Sequence, residues 1–216
     1  MAKHEGDCFL VPGPVRMNQR CLDAMATPVI TARGGEFRDV MADLNSGLRY
    51  AFNLTPSQPV KKTHSWSSED DYKVMVVSGS GTAAMEMLIA NRFRSNDLVL
   101  VPTNGKFGER VAEMCKRFCN VKHIKYEWGR AFDLYELEQQ LERGCYEALL
   151  ICHNETSSGI TQDAPAIAEM CERYNTSFIL DGITSIGGLP VHLEKWNVEA
   201  AAMGAQKCTA GPSGIA

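Results

Sequence analysis

Short runs of Val, Ile and Leu alternate along much of the chain with stretches whose apolar residues recur at helical spacing. No other feature restricts the fold as strongly. Lys73 to Val77, Leu98 to Pro102, Val121 to Tyr126, Ala148 to His153, Ser177 to Asp181 and Ala200 to Gly204 read as buried parallel strands. Between most of them lie helical patterns. Gly81 to Arg94 places Ala84, Leu88 and Ile89 on one face, and Phe107 to Phe118 does so with Val111, Met114 and Cys115. Asp133 to Arg143 opens on an acidic cap and aligns Leu134, Leu137 and Leu141; Ala164 to Tyr174 follows the same scheme. Strands alternating with helices predict an α/β fold, three layers deep, with a mostly parallel central sheet.

Composition narrows the class further. A chain of 216 residues that is 44% hydrophobic can build one sizeable core. Its formal net charge of −4 gives no basic excess, so neither nucleic acid nor an anionic membrane is an expected partner. No window of 18 apolar residues predicts a membrane-spanning helix, and the start of the chain has no signal-like apolar core. The eight cysteines are irregularly spaced, with no CxxC and no clustered His. They predict neither a disulfide framework nor a metal site, and a reducing cytoplasm is the simple reading. Thr55 to Tyr72 is polar, contains prolines and lacks periodicity, which reads as an exposed loop.

In a parallel α/β sheet, ligands sit outside the carboxyl ends of the strands. The chemically capable residues fall there. Ser78-Gly-Ser-Gly-Thr82 joins an expected strand to a helix, and such a turn presents free N–H groups to an anion. It is neither a P-loop nor a full dinucleotide fingerprint. Asp181 ends the run FILD, and Lys207 lies in the glycine-flanked segment MGAQKCTAGPSG. Taken singly, each has an ordinary explanation: a turn, a helix cap, a surface lysine. Taken together, an anion loop, a buried carboxylate and a sheltered lysine are what a pyridoxal 5′-phosphate (PLP) enzyme requires.

The ordered segments PGPV (12–15), ARGGEF (32–37), GSGTAAME (79–86), NGKFGER (104–110), HNETSSGI (153–160), DGITSIGGLPV (181–191) and GAQKC (204–208) carry a resemblance over almost the whole chain. The sequence resembles the class V, fold-type I aminotransferases, in particular the alanine–glyoxylate and serine–pyruvate group. The resemblance implies an N-terminal segment, residues 1–20, followed by the PLP-binding large domain, residues 21–216. Lys207 would be the Schiff-base lysine and the proton shuttle. Asp181 would pair with the pyridine nitrogen, so that Asp181→Asn damages chemistry more than folding. Ser80, Gly81 and Thr82 would cradle the phosphate, with Gln206 as a further contact. Phe107 would stack on one ring face and Ile183 would press on the other. Thr156 would lie near the phenolic oxygen. Glu155 receives no chemical role.

The implied reaction moves an amino group from alanine, serine or aspartate to glyoxylate or pyruvate, in a homodimer. The resemblance departs at Thr31-Ala32-Arg33, which lacks the His often found before the Arg. The chain also stops soon after Lys207, so a truncated large domain without the C-terminal small domain is expected. In the family that domain supplies the arginine that grips the substrate carboxylate, so this chain is expected to be impaired alone. The competing readings are a non-catalytic fragment and another class V enzyme, such as a cysteine desulfurase or lyase.

Overall fold

A computed structural model describes residues 12–54 and 72–216. Two N-terminal helices, α1 (Gln19–Met25) and α2 (Gly35–Ala51), precede the α/β unit. That unit runs α3 (Gly81–Arg92), β1 (Leu98–Thr103), α4 (Lys106–Cys115), β2 (Asn120–Lys125), α5 (Leu134–Arg143) and β3 (Ala148–Cys152). A small antiparallel hairpin follows, β4 (Asn154–Glu155) and β5 (Ile160–Thr161), then α6 (Ala164–Arg173), β6 (Ser177–Asp181) and β7 (Val198–Ala202).

The main sheet has the order β2-β1-β3-β6-β7, and every pairing in it is parallel. Alternate residues of its strands feed two cores. Val99, Val101, Leu150 and Ile179 pack with Met85 and Ile89 of α3 and Val111 and Cys115 of α4. Leu100, Leu149, Ile151, Phe178 and Leu180 pack with Leu137 and Leu141 of α5 and Ile167 and Cys171 of α6. Strands buried on both faces by helices are the physical reason for their continuous apolar runs. The expected three-layer α/β/α architecture is therefore the observed one. The chain direction across the sheet reverses between β1 and β3, and this reversal opens a crevice at their carboxyl ends.

Two sequence readings are corrected, and a third lies almost wholly outside the described residues. Lys73 to Val77 forms no strand of the sheet. Its only ladder-like pairing among the described residues begins at Val77, which exchanges backbone hydrogen bonds with Ala216, while the Gly79 N–H donates to Gly214 O. Met75 and Val76 consequently stay exposed. An apolar run becomes a strand only where a neighbouring ladder accepts its hydrogen bonds. The last strand spans Val198–Ala202 rather than Ala200 to Gly204, since its pairing with β6 begins at Val198 opposite Phe178. The loop reading for Thr55 to Tyr72 falls outside the described residues except at Tyr72. That residue is half-buried, and its hydroxyl donates to Val198 O at 2.7 Å.

Candidate active site

The carboxyl ends of β3 and β6, with the turns after β1 and β7 and the turn into α3, enclose a cavity of about 180 Å³. Its lining includes Ser80, Gly81, Thr82, Phe107, Asp181, Ile183, Gln206 and Lys207. Eight of the nine residues singled out from sequence thus share one space. Thr156 is half-buried beyond β4 and is not part of that lining.

Ser80 caps α3: its hydroxyl accepts from the Ala83 N–H at 3.2 Å. The first turn of this 12-residue helix faces the cavity, so the positive end of its dipole is directed there. Gly81 leaves room for Ile183: a Cβ at 81 would sit 2.8 Å from Ile183 Cδ1, so any side chain there would push Ile183 aside. Ile183 also lies 3.3 Å from where a Cβ of Gly204 would be, so it forms a wall between the α3 turn and the lysine loop.

Asp181 is the buried acid of the site. Burial pushes its carboxyl up to about 6; the Ile183 N–H, donating at 3.1 Å, works against that rise. Nearby Glu155 raises it further and the Arg110 cation lowers it. A carboxylate so desolvated is stabilised by a cationic partner placed against it. Cys152, one strand away, also faces the cavity. Burial, then the charges of Asp181 and Glu155, hold its thiol well above the ordinary range, so it stays protonated.

Lys207 sits half-buried in a loop folded on itself. Its N–H donates to Gly204 O, the Gly211 N–H donates to Ala205 O, and the Ala205 N–H donates to Ile215 O. The Val15 N–H of the PGPV segment donates to Gln206 O at 3.0 Å, which ties that distant motif to the lysine loop. The Gln206 side-chain oxygen is buried without a protein partner. An amide end in that state can turn its NH₂ toward an anion.

Sequence reasoning gives no specific role to Arg110, Cys152, Asn154 or Thr184, all of which line the cavity. Arg110 is three residues after Phe107 on α4, hence on the same helical face. Its guanidinium lies 5.2 Å from the Phe107 ring centroid and donates to Thr82 Oγ1 at 3.3 Å. Thr184 follows Ile183, and its hydroxyl donates to Asn154 O at 2.8 Å, tying the turn after β6 to the start of β4. A larger, more open cleft of about 280 Å³ runs beside α4, lined by Lys106, Glu109, Arg110, Glu113, His123 and Lys125. Its lining is mostly solvated charge of both signs and holds no buried acid. Among the described residues no group of His, Cys, Asp and Glu could hold a metal ion, and no helix is long and apolar enough to cross a membrane.

The chain can now be set beside known proteins. It is 31% identical over 96% of its length to the (S)-ureidoglycine–glyoxylate transaminase of Bacillus subtilis, of which it covers 47%. It is 30% identical to the alanine–glyoxylate aminotransferase of Rattus norvegicus, with 96% of this chain and 47% of that one aligned. The solved structure of an alanine–glyoxylate aminotransferase from Nostoc sp. superposes with a TM-score of 0.83 at 32% identity, covering 94% of this chain and 50% of that one. The chain therefore spans about half the length of the curated relatives it matches. The family model described as aminotransferase class-V matches residues 59–216. The chain belongs to the class V aminotransferase family.

Proposed function

We propose that this chain is the cofactor-binding part of a PLP-dependent aminotransferase, with residues 21–216 as its large domain and residues 1–20 as an N-terminal segment. One observation carries the reading: Asp181, Lys207 and the start of α3 converge on a single cavity from three distant parts of the sequence. The residues fit the cofactor. The α3 turn offers backbone donors and a helix dipole for a phosphate, and the Gln206 amide, whose buried oxygen has no protein partner, lies on the same cavity. Asp181 offers a buried anion for a protonated ring nitrogen, and Phe107 offers a flat apolar face.

When bound, PLP supplies an electron sink for the charge left on the substrate α-carbon after proton loss. Asp181 would hold the proton on the ring nitrogen. Lys207 would attach the cofactor and then carry the proton between the substrate α-carbon and the cofactor C4′ carbon. Ser80, Gly81, Thr82 and Gln206 would hold the phosphate, Phe107 and Ile183 would fix the plane of the ring, and Thr156 would stand near the phenolic oxygen. The 2-oxo acid and amino acid partners we assign are glyoxylate or pyruvate with alanine, serine or aspartate. Support comes from the names of the relatives, which are glyoxylate aminotransferases. A homodimer is the assembly we assign. Apolar side chains of α1, α2 and the turn between them, among them Met25, Val29, Val40 and Leu44, stand exposed on this chain and would be covered in such an assembly.

The test is a spectroscopic titration with PLP of the wild type and of Lys207→Ala, followed by incubation of the loaded chain with alanine and glyoxylate. One PLP per chain with an imine absorbance band that Lys207→Ala abolishes supports the reading. The same imine band in both chains contradicts it. Pyruvate release would establish the donor and acceptor pair. Uptake without turnover would restrict this chain to cofactor binding.

A further inference from the structure

Glu155 is fully buried and does not line the cavity. A carboxylate taken out of water is costly unless donors surround it. Here three do. The Gly108 N–H donates to Oε2 at 2.8 Å, and the Ser157 N–H and hydroxyl donate to Oε1 at 3.2 and 2.6 Å. Ser157 Oγ in turn accepts from the Lys106 N–H at 2.8 Å. Lys106 and Gly108 are the first and third residues of α4, so the Glu155–Ser157 pair caps that helix from another part of the chain.

The helix has no cap of its own. Residue 105 at its N-cap is glycine, and a Cβ there would lie 2.4 Å from Glu155 Cγ and 2.6 Å from Ser157 Oγ. A serine or aspartate at 105 would have served helix stability alone. The cap comes instead from the β4–β5 hairpin, whose first residue, Asn154, lines the cavity. The two restrained amides flank Phe107 on both sides. One turn on, Arg110 lies against the Phe107 ring and reaches Thr82 in the α3 turn.

We propose that Glu155 is a positioning residue: it fixes the start of α4 against the hairpin and thereby sets Phe107 and Arg110 toward the cofactor. The proposal rests on the PLP reading above. It does not make Glu155 a proton donor or acceptor in the reaction, since the carboxylate is fully buried and is not among the groups that line the cavity.

Two variants of the full chain test it, with three readouts: thermal stability, amide hydrogen exchange of the first turn of α4 without PLP, and PLP affinity with the visible circular dichroism of the bound cofactor. Glu155→Gln keeps the shape but offers a single acceptor oxygen to donors that occupied two. Exchange at the start of α4 is expected to quicken, PLP affinity to fall roughly ten- to a hundredfold, and the dichroism of bound PLP to weaken. Should Glu155→Gln fail to fold, Ser157→Ala provides the same reading. It sits on an exposed residue, removes the bond to Lys106, and is expected to weaken PLP binding about three- to tenfold with little change in melting temperature. Wild-type affinity and dichroism in a folded Glu155→Gln chain, or in Ser157→Ala if that alone folds, would overturn the proposal whatever the melting temperatures. Failure of the wild type to take up PLP would overturn the cofactor reading itself and leave Glu155 a helix cap only. The wild-type titration distinguishes the two failures.

Discussion

Asp181 shows how far a single residue can be understood from its surroundings. Its burial raises the folded-state value from the ordinary 3.8 to about 6. The sign follows from linkage. Stability contributed by the protonated acid is complete below about pH 4 and is lost as pH rises through about 6. Without PLP, the ionised form is therefore a burden near neutral pH. Asp181→Asn is expected to exceed the wild type in stability by about 2 to 3 kcal/mol at pH 7.5 and to match it near pH 4. Urea unfolding of both chains at the two pH values measures this, and a difference independent of pH would contradict it. The same substitution is expected to impair any chemistry that needs a protonated ring nitrogen. In the sequence, Asp181 was legible because it ends a strand. Arg110 and Thr184 were not singled out, because each is next to a recognised residue in space and helix or turn geometry alone brings it to the cavity. Cys152 looked like one more core residue of an apolar strand, and only the strand's end position exposes it to the site.

At the scale of elements, legibility follows the strength of local signals. The helices α5 and α6 begin where Asp133 and Asp163 accept from the Glu136 and Ala166 N–H groups, and acidic caps of this kind are visible in sequence. Asp163→Ala is expected to lower stability by about 1 kcal/mol and to leave PLP affinity unchanged, because Asp163 caps α6 without lining the cavity. Thermal melts paired with PLP titrations check both halves of that statement. The N-terminal helices were not read. α2 starts at Gly34-Gly35 without a side-chain cap, and among its residues only Arg49 is buried, so no core pattern marks it. Lys73 to Val77 failed in the opposite direction. Its β-branched composition suits a strand, yet its hydrogen-bonding neighbours lie at the far end of the sequence. Such pairing is non-local and leaves no local signature.

The whole molecule is an α/β layer whose strand ends collect residues from positions 80 to 207 into one cavity. That convergence supports the cofactor reading far better than any one motif, since each motif alone has an ordinary structural explanation. Because the chain spans about half of its relatives, the substrate-facing side of the reaction belongs to the proposed activity, while the cofactor side can be tested on this chain directly. The decisive measurement is to add PLP to the purified chain, reduce with borohydride, and map the pyridoxyl group by peptide mass spectrometry. One pyridoxyl group per chain, on Lys207, is the predicted result. Label spread over exposed lysines such as Lys106 and Lys125, or no label at all, would contradict the assignment of this cavity to PLP.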